Sequence, residues 1–404
     1  MTVGAAAGVL CLAVGACSDD TVTPPDTTTP SPATSSPAER PSDGVLTIGM
    51  LLPFTGAGAN TLGAPIRSAI EDAVVEINAA GGVLGTSVRL LEADEAQAGG
   101  IDELIEGGAD AIVGPASSLV ALAELGTAIA NDTVVCSPTA TALALDDFPN
   151  RDGLFFRTVP SDSLQMEAIV REVRDTGVES VAVAYLDDPY GRGLANTFAA
   201  RVRASTVLAV DERRGFSGAQ EDLSEIAAAI AGTRAIVVLG DADDGGRLLT
   251  ALDAVIDRSD PPTVIVNDAV RSARQPIAQL SPELRARLIG VAPRARAETV
   301  NGFFTANAID CVNLIALAAT QAGSDRPEDF GGNIPGVSYG GSPCSGFAEC
   351  AQRLTEVPQI DYDGLSGPVD LRASGGDLGN AWFDVFGFDD TGAETAPRPR
   401  NIAL

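Results

Sequence analysis

The sequence predicts an α/β protein of two lobes, each built on a parallel sheet, and three observations carry that prediction. From residue 45 onward, short β-branched apolar runs alternate with amphipathic segments, the pattern of βαβ units. The runs are too many for one small sheet. The stretch Phe155-Phe156-Arg157-Thr158-Val159-Pro160 falls where a first unit would end, so a second lobe starts after it.

The front of the chain is of another kind. Residues 4–16 form an apolar run too short to span a bilayer and of the length of a signal-peptide core. The run ends in Val14-Gly15-Ala16-Cys17, which resembles the lipobox of bacterial lipoproteins, although no Lys or Arg precedes it. That resemblance implies a lipoprotein signal peptide over 1–16, a lipidated Cys17, and display on the outer face of the cell membrane. Residues 17–44 are a Thr/Pro/Ser tract without apolar periodicity, read as a disordered linker. The alternative, a short buried helix, fits poorly, because a buried helix rarely opens onto so long a Pro-rich stretch.

In the body, the apolar runs predict strands at 45–52, 88–92, 111–114, 133–137, 181–186, 235–239, 263–266 and 288–292. Helical periodicity fills the intervals at 65–79, 102–107, 119–130, 163–176, 193–204, 220–231, 246–256 and 299–322. About 360 residues remain after the first 44, enough for two domain-sized cores.

Composition narrows the chemistry. The chain has no His, and reading it through shows that all 26 basic residues are Arg. Catalytic relays through His, His metal ligands, Lys Schiff bases and the Lys of a phosphate loop are therefore excluded. A net charge of -29 without any Arg-rich block argues against nucleic acid as a partner and describes a solvated acidic surface. Export would place Cys136, Cys311, Cys344 and Cys350 where disulfides persist. Cys344 and Cys350, six apart in a Gly/Ser/Pro-rich stretch, are the expected pair; Cys136 and Cys311 sit in apolar surroundings, where small core residues and a second pair are both open.

Several motifs share one likeness. Ile48-Gly49-Met50-Leu51-Leu52-Pro53-Phe54-Thr55-Gly56 is followed by Gly63, Ala69-Ile70-Glu71-Asp72-Ala73 and Ile77-Asn78-Ala79-Ala80-Gly81-Gly82. Ile112-Val113-Gly114-Pro115, Ser137-Pro138-Thr139-Ala140-Thr141, Phe156-Arg157-Thr158, Asp188-Pro189-Tyr190-Gly191 and Tyr362-Asp363-Gly364 follow in order. Together they resemble the type I periplasmic binding proteins of the branched-chain amino acid family over residues 45 to 390. The resemblance implies Rossmann-like lobes joined by hinge crossings near 159–161, 291–294 and 360–363. It divides the chain into a first lobe of 45–159 plus 294–360 and a second of 160–293 plus 361–395.

Binding residues are read partly from the strand ends. Ser117 and Ser118 follow one strand and open a helix, where amide N–H groups and the helix dipole favour an anion. Ser137, Thr139, Ala140 and Thr141 follow the next strand at the same edge, where ligands of open α/β folds collect. The resemblance implies that these positions take the carboxylate and ammonium of an amino acid, that Tyr190 covers the ligand from the second lobe, and that Phe54 walls the first. The alternatives are helix caps, turn formers and simple packing. Two positions depart from the family: Asp241 follows one second-lobe strand, as a ligand for a second cationic group or as a helix cap, and Asp268 follows another, placed to meet an ammonium. Asp241-Ala242-Asp243-Asp244-Gly245 fails as a calcium loop, since its Gly falls early and no Glu closes it, so neither metal nor cofactor is expected.

The expectation is a lipid-anchored substrate-binding protein that hands a small polar solute to an ABC permease. The alternative is a ligand-sensing receptor module for an amide, urea or other small solute, feeding a signalling partner. An enzyme using two carboxylates is disfavoured by aromatics of only 4%, too few for sugar platforms.

Overall fold

The computed structural model describes residues 42–404 apart from 57, 151–152, 206, 221, 295–301, 372–375 and 404. The proposed signal peptide, Cys17 and nearly all of the linker lie outside the described residues.

Five parallel strands form the first sheet, β1 (Thr47–Leu52), β2 (Arg89–Asp94), β3 (Ala111–Val113), β4 (Val134–Ser137) and β5 (Phe155–Arg157), in the order β2-β1-β3-β4-β5. Both faces are covered. Ile48, Met50 and Leu52 pack into a core with Ile66, Ile70, Val312 and Ile315, whereas Leu51 packs on the opposite side with Ile101, Leu104 and Leu125. Burial on both faces is why β1 reads as an unbroken apolar run.

The second sheet begins with β6 (Ser180–Leu186), β7 (Ala209–Phe216), β8 (Ala235–Leu239), β9 (Thr263–Val266) and β10 (Leu288–Pro293), all parallel. A small parallel pair, β11 (Ser342–Cys344) and β12 (Ile360–Tyr362), stands apart from it. Then β13 (Asn380–Phe386) and β14 (Arg398–Ala403) add to the second sheet antiparallel, giving β14-β13-β10-β9-β8-β6-β7. The boundary at 395 drawn from the sequence is thus too early, because β14 continues the sheet to Ala403. Its Arg-Pro-Arg-Asn sequence carries one buried apolar residue, Ile402, so periodicity could not reveal it.

Between the sheets the chain passes three times. Residues 158–161 link β5 to helix Asp162–Asp175, the stretch 294–304 links β10 to helix Thr305–Ala322, and 363–379 links β12 to β13. Helix Thr305–Ala322 is buried along most of its length and packs on helix Ala64–Ala79. A disulfide joins Cys136 of β4 to Cys311 of that helix, with Cα atoms 5.7 Å apart, so these two are not merely small core residues. Cys344 and Cys350 form a second, local bridge.

Helix Ala64–Ala79 ends at Gly81 and Gly82, both at positive φ, 110° and 74°. A Cβ on Gly82 would stand 2.1 Å from the carbonyl oxygen of Thr86, so the exit from the helix needs glycine on two counts. Among the described residues, no helix is long and apolar enough to cross a membrane, and no group of three His, Cys, Asp or Glu is placed to hold a metal ion.

Candidate functional site

The carboxyl ends of β3 and β4 present the first-lobe loops side by side. Ser117 caps helix Ser118–Ala130, its Oγ accepting from the amides of Leu119 and Val120. The Ser137 hydroxyl donates to the Pro115 carbonyl at 2.7 Å, and that of Thr139 donates to the Ala116 carbonyl at 2.7 Å. Ser117, Ser137 and Thr139 therefore hold the loops in shape by bonding their own backbone. Glu95 adds to this by accepting from the amides of Ala116 and Ser117. Ser118 Oγ accepts from the Ala142 amide at 3.3 Å and keeps its own proton to donate to a ligand, whereas the Thr141 side chain bonds Asp162.

Two other sequence candidates have different work in the structure. The Asp241 carboxylate caps helix Ala242–Asp253 by accepting from the Asp244 amide at 2.8 Å, and the residue is exposed. Of the two roles considered for it, capping is the one seen. Phe54 stacks under the Arg67 guanidinium at 5.5 Å, while its amide donates to Asp94.

The second lobe supplies the acids. Asp268 follows β9, and its Oδ1 accepts from Gln165 Nε2 at 2.8 Å. Gln165 sits in the first turns of helix Asp162–Asp175, whose first residue, Asp162, donates its amide to the Thr141 carbonyl at 2.9 Å. That bond ties the two lobes together at the cleft floor. Asp162 and Gln165 are 3% and 2% exposed, and Asp162 Oδ2 and Gln165 Oε1 have no hydrogen-bond partner. Burial, then the neighbouring Asp268, pushes the Asp162 carboxyl well above the usual carboxylate range. Burial likewise raises Asp268, against the hydrogen bond from Gln165 and the pull of Arg271.

Tyr190 stands in the first turn of helix Pro189–Ala204, with Asp188 as its cap. The residue is 36% exposed, but its hydroxyl lies inward, and burial together with the charges of Asp162 and Asp268 raises its pKa well above the ordinary phenol value. Of the sequence candidates, Ser118 keeps a proton to give, while Thr141 bonds Asp162, Asp268 bonds Gln165, and Tyr190 bonds Asn267 and feels the charges of Asp162 and Asp268. Asp162 and Gln165 were missed. Ser161 is a helix cap and Asp162 a first-turn acid, so in sequence both look like ordinary helix initiation.

Beneath the loops lies Arg157, fully buried. Its guanidinium makes two bonds of 2.6 Å to Asp377, one of 2.7 Å to Asp146, and bonds of 3.2 Å to the carbonyls of Ala140 and Ala142. Ser161 Oγ also donates to Asp146 at 2.6 Å. One side chain thereby joins the ligand loop after β4 to the first and third crossings. A cavity of about 570 Å³ is lined by Asp268, Arg271, Arg294, Phe303, Phe304 and Asp384.

A family model described as periplasmic binding protein matches residues 45–282, more than half of the chain. The chain belongs to the periplasmic binding protein family. Among its relatives is the chemotactic signal transduction system substrate-binding protein BasB of Halobacterium salinarum, 28% identical over 353 residues, covering 81% of this chain and 84% of BasB. Leu/Ile/Val-binding protein BraC3 of Rhizobium johnstonii is 32% identical over 173 residues, 41% of this chain and 46% of that protein. Among solved structures, the branched-chain amino acid transporter substrate-binding protein LivJ of Streptococcus pneumoniae in complex with isoleucine superposes with a TM-score of 0.66 at 19% identity, over 88% of this chain and 99% of LivJ.

Proposed function

We propose that this chain is the extracytoplasmic, lipid-anchored substrate-binding protein of an ABC importer, and that it takes an amino acid between its lobes. The observation that carries the reading is the pairing of unlike chemistry across the cleft. Ser118 offers a neutral donor to a carboxylate on one side, while Asp268, Gln165 and Tyr190 offer acceptors to an ammonium on the other. A zwitterion satisfies both lobes at once. Closing the lobes around it removes water, strengthens those contacts and gives a permease a closed shape to recognise. The anchor is Cys17, on the strength of the lipobox-like Val14-Gly15-Ala16-Cys17. Binding needs no covalent step, and the relatives are solute-binding proteins.

A second reading has one observation in its favour: the relative matched over most of its length belongs to a chemotactic system, and on that reading the same closed shape is addressed to a signalling partner. The capture step is common to both.

A thermal-shift screen against amino acids, amides, urea and sugars tests capture, because a ligand that binds only the folded state raises its midpoint. An amino acid that stabilises the protein, with the shift abolished by Asp268→Ala, supports the reading. A panel in which only sugars or urea act contradicts it.

A further inference from the structure

The cavity that Asp268 lines has a second carboxylate on its wall. Asp384 of β13 lines it, and Asp384 Oδ1 is buried without a hydrogen-bond partner. Its nearest cation, Arg294 Nε, is 3.6 Å away, beyond hydrogen-bond distance. Arg294 is 36% exposed and also lines the neighbouring cavity beside Asp363, so it is free to turn away from Asp384. The other basic wall residue, Arg271, is already neutralised: Glu394 takes it through two hydrogen bonds of 2.6 and 2.9 Å, and it is stacked between Phe303 and Phe386 at 5.1 and 5.2 Å.

Charge around Asp268 adds to this. Asp162 and Gln165 both turn unsatisfied oxygens to a buried region, and Arg157 is already held by Asp146 and Asp377. Among the described residues of the cavity wall, the carboxylates Asp268 and Asp384 therefore outnumber the one loosely held cation, Arg294. A ligand with a single ammonium meets only one of the two. The volume, about 570 Å³, lies within the roughly 300–1,000 Å³ of small-molecule sites, and the Phe303 and Phe304 rings wall one side. Flat apolar walls beside a carboxylate suit a methylene chain with a cationic tip.

Resting on the amino-acid reading above, we infer that the ligand is a dibasic amino acid, its α-ammonium at Asp268 and its side-chain cation at Asp384. Arg294 yields its place at Asp384 when the ligand enters.

Isothermal titration of the purified chain with L-arginine, L-lysine, L-leucine and L-glutamate tests this. The dibasic amino acids are expected to bind at least about tenfold more tightly than leucine, one buried charge pair's worth of selectivity. Asp384→Asn removes that preference while changing leucine affinity less than about twofold. Arg294→Gln, which keeps Asp384 and removes its competitor, strengthens arginine binding. Leucine or glutamate bound as tightly as arginine, or arginine weakened by Arg294→Gln, overturns the inference and leaves amino-acid capture standing. Binding of none of the four overturns both.

Discussion

The Arg157 guanidinium and the Asp377 carboxylate meet through two parallel hydrogen bonds of 2.6 Å, although 220 residues separate them in sequence. The pair closes the third crossing onto the first, directly under the loop that carries Thr141. Its worth lies in position, since burying two charges costs solvation that their attraction only partly returns. Breaking it is another matter. Asp377→Asn leaves a fully buried guanidinium with one carboxylate, and is expected to lower the free energy of unfolding by about 3 kcal/mol. Urea titration followed by the fluorescence of Trp382, the single tryptophan, measures this; a change within ~0.5 kcal/mol contradicts the assignment.

The two disulfides differ in reach. Cys136–Cys311 closes a loop of 175 residues, and Cys344–Cys350 one of 6. On chain entropy alone the long bridge stabilises by about 5 kcal/mol and the short one by about 2 kcal/mol. Replacing each pair by alanine and comparing urea midpoints checks the order. Equal losses would show that something other than loop closure dominates.

Asp162 makes stability depend on pH in a set direction. Its folded pKa is raised, so below the unfolded value of about 3.8 both states carry the proton and its burial is without electrostatic penalty. As pH rises from there toward the folded pKa, the unfolded state loses its proton first and stability falls. Asp268 acts with the same sign. Asp162→Asn should therefore raise the melting temperature of the ligand-free protein at pH 7.5 and leave it nearly unchanged at pH 4. A variant less stable than the parent at pH 7.5 would mean that Asp162 is held ionised.

Gly82 provides a backbone test. Alanine there must accept φ 74° and a Cβ 2.1 Å from the Thr86 carbonyl oxygen. The left-handed conformation alone costs about 1–2 kcal/mol, and the clash adds to it. Gly85→Ala, at φ 79° with open space around it, isolates the conformational part and should cost visibly less.

Much of this architecture was legible because its central strands are covered on both faces. The runs at β1, β4, β6 and β8 are nearly all apolar, and the helices between them keep their periodicity. Of the edge strands, β2 was legible, but β5, β7 and β14 were not. β7 carries Asp211, Glu212, Arg213 and Arg214, charges that keep an open edge from pairing with another chain and that read as loop. β14, the other edge of that sheet, escaped for the same reason, with Pro399 in it and Ile402 its one buried apolar residue.

In the cleft, residues that follow strands could be listed, but not sorted. Ser137 and Ser118 look alike in sequence, and only packing shows that Ser137 bonds the Pro115 carbonyl while Ser118 keeps a proton to give. Asp162 and Gln165 acquire their meaning from Asp268, about a hundred residues on, which no local pattern records.

The most direct test of the central claim is titration of the stabilising amino acid into the parent protein, Ser118→Ala and Asp268→Asn, one change in each lobe. A ligand gripped from both sides loses about 1 kcal/mol of binding free energy with Ser118→Ala and 2 kcal/mol or more, ~30-fold in affinity, with Asp268→Asn. Full affinity retained by either variant would place the ligand outside the cleft between the lobes.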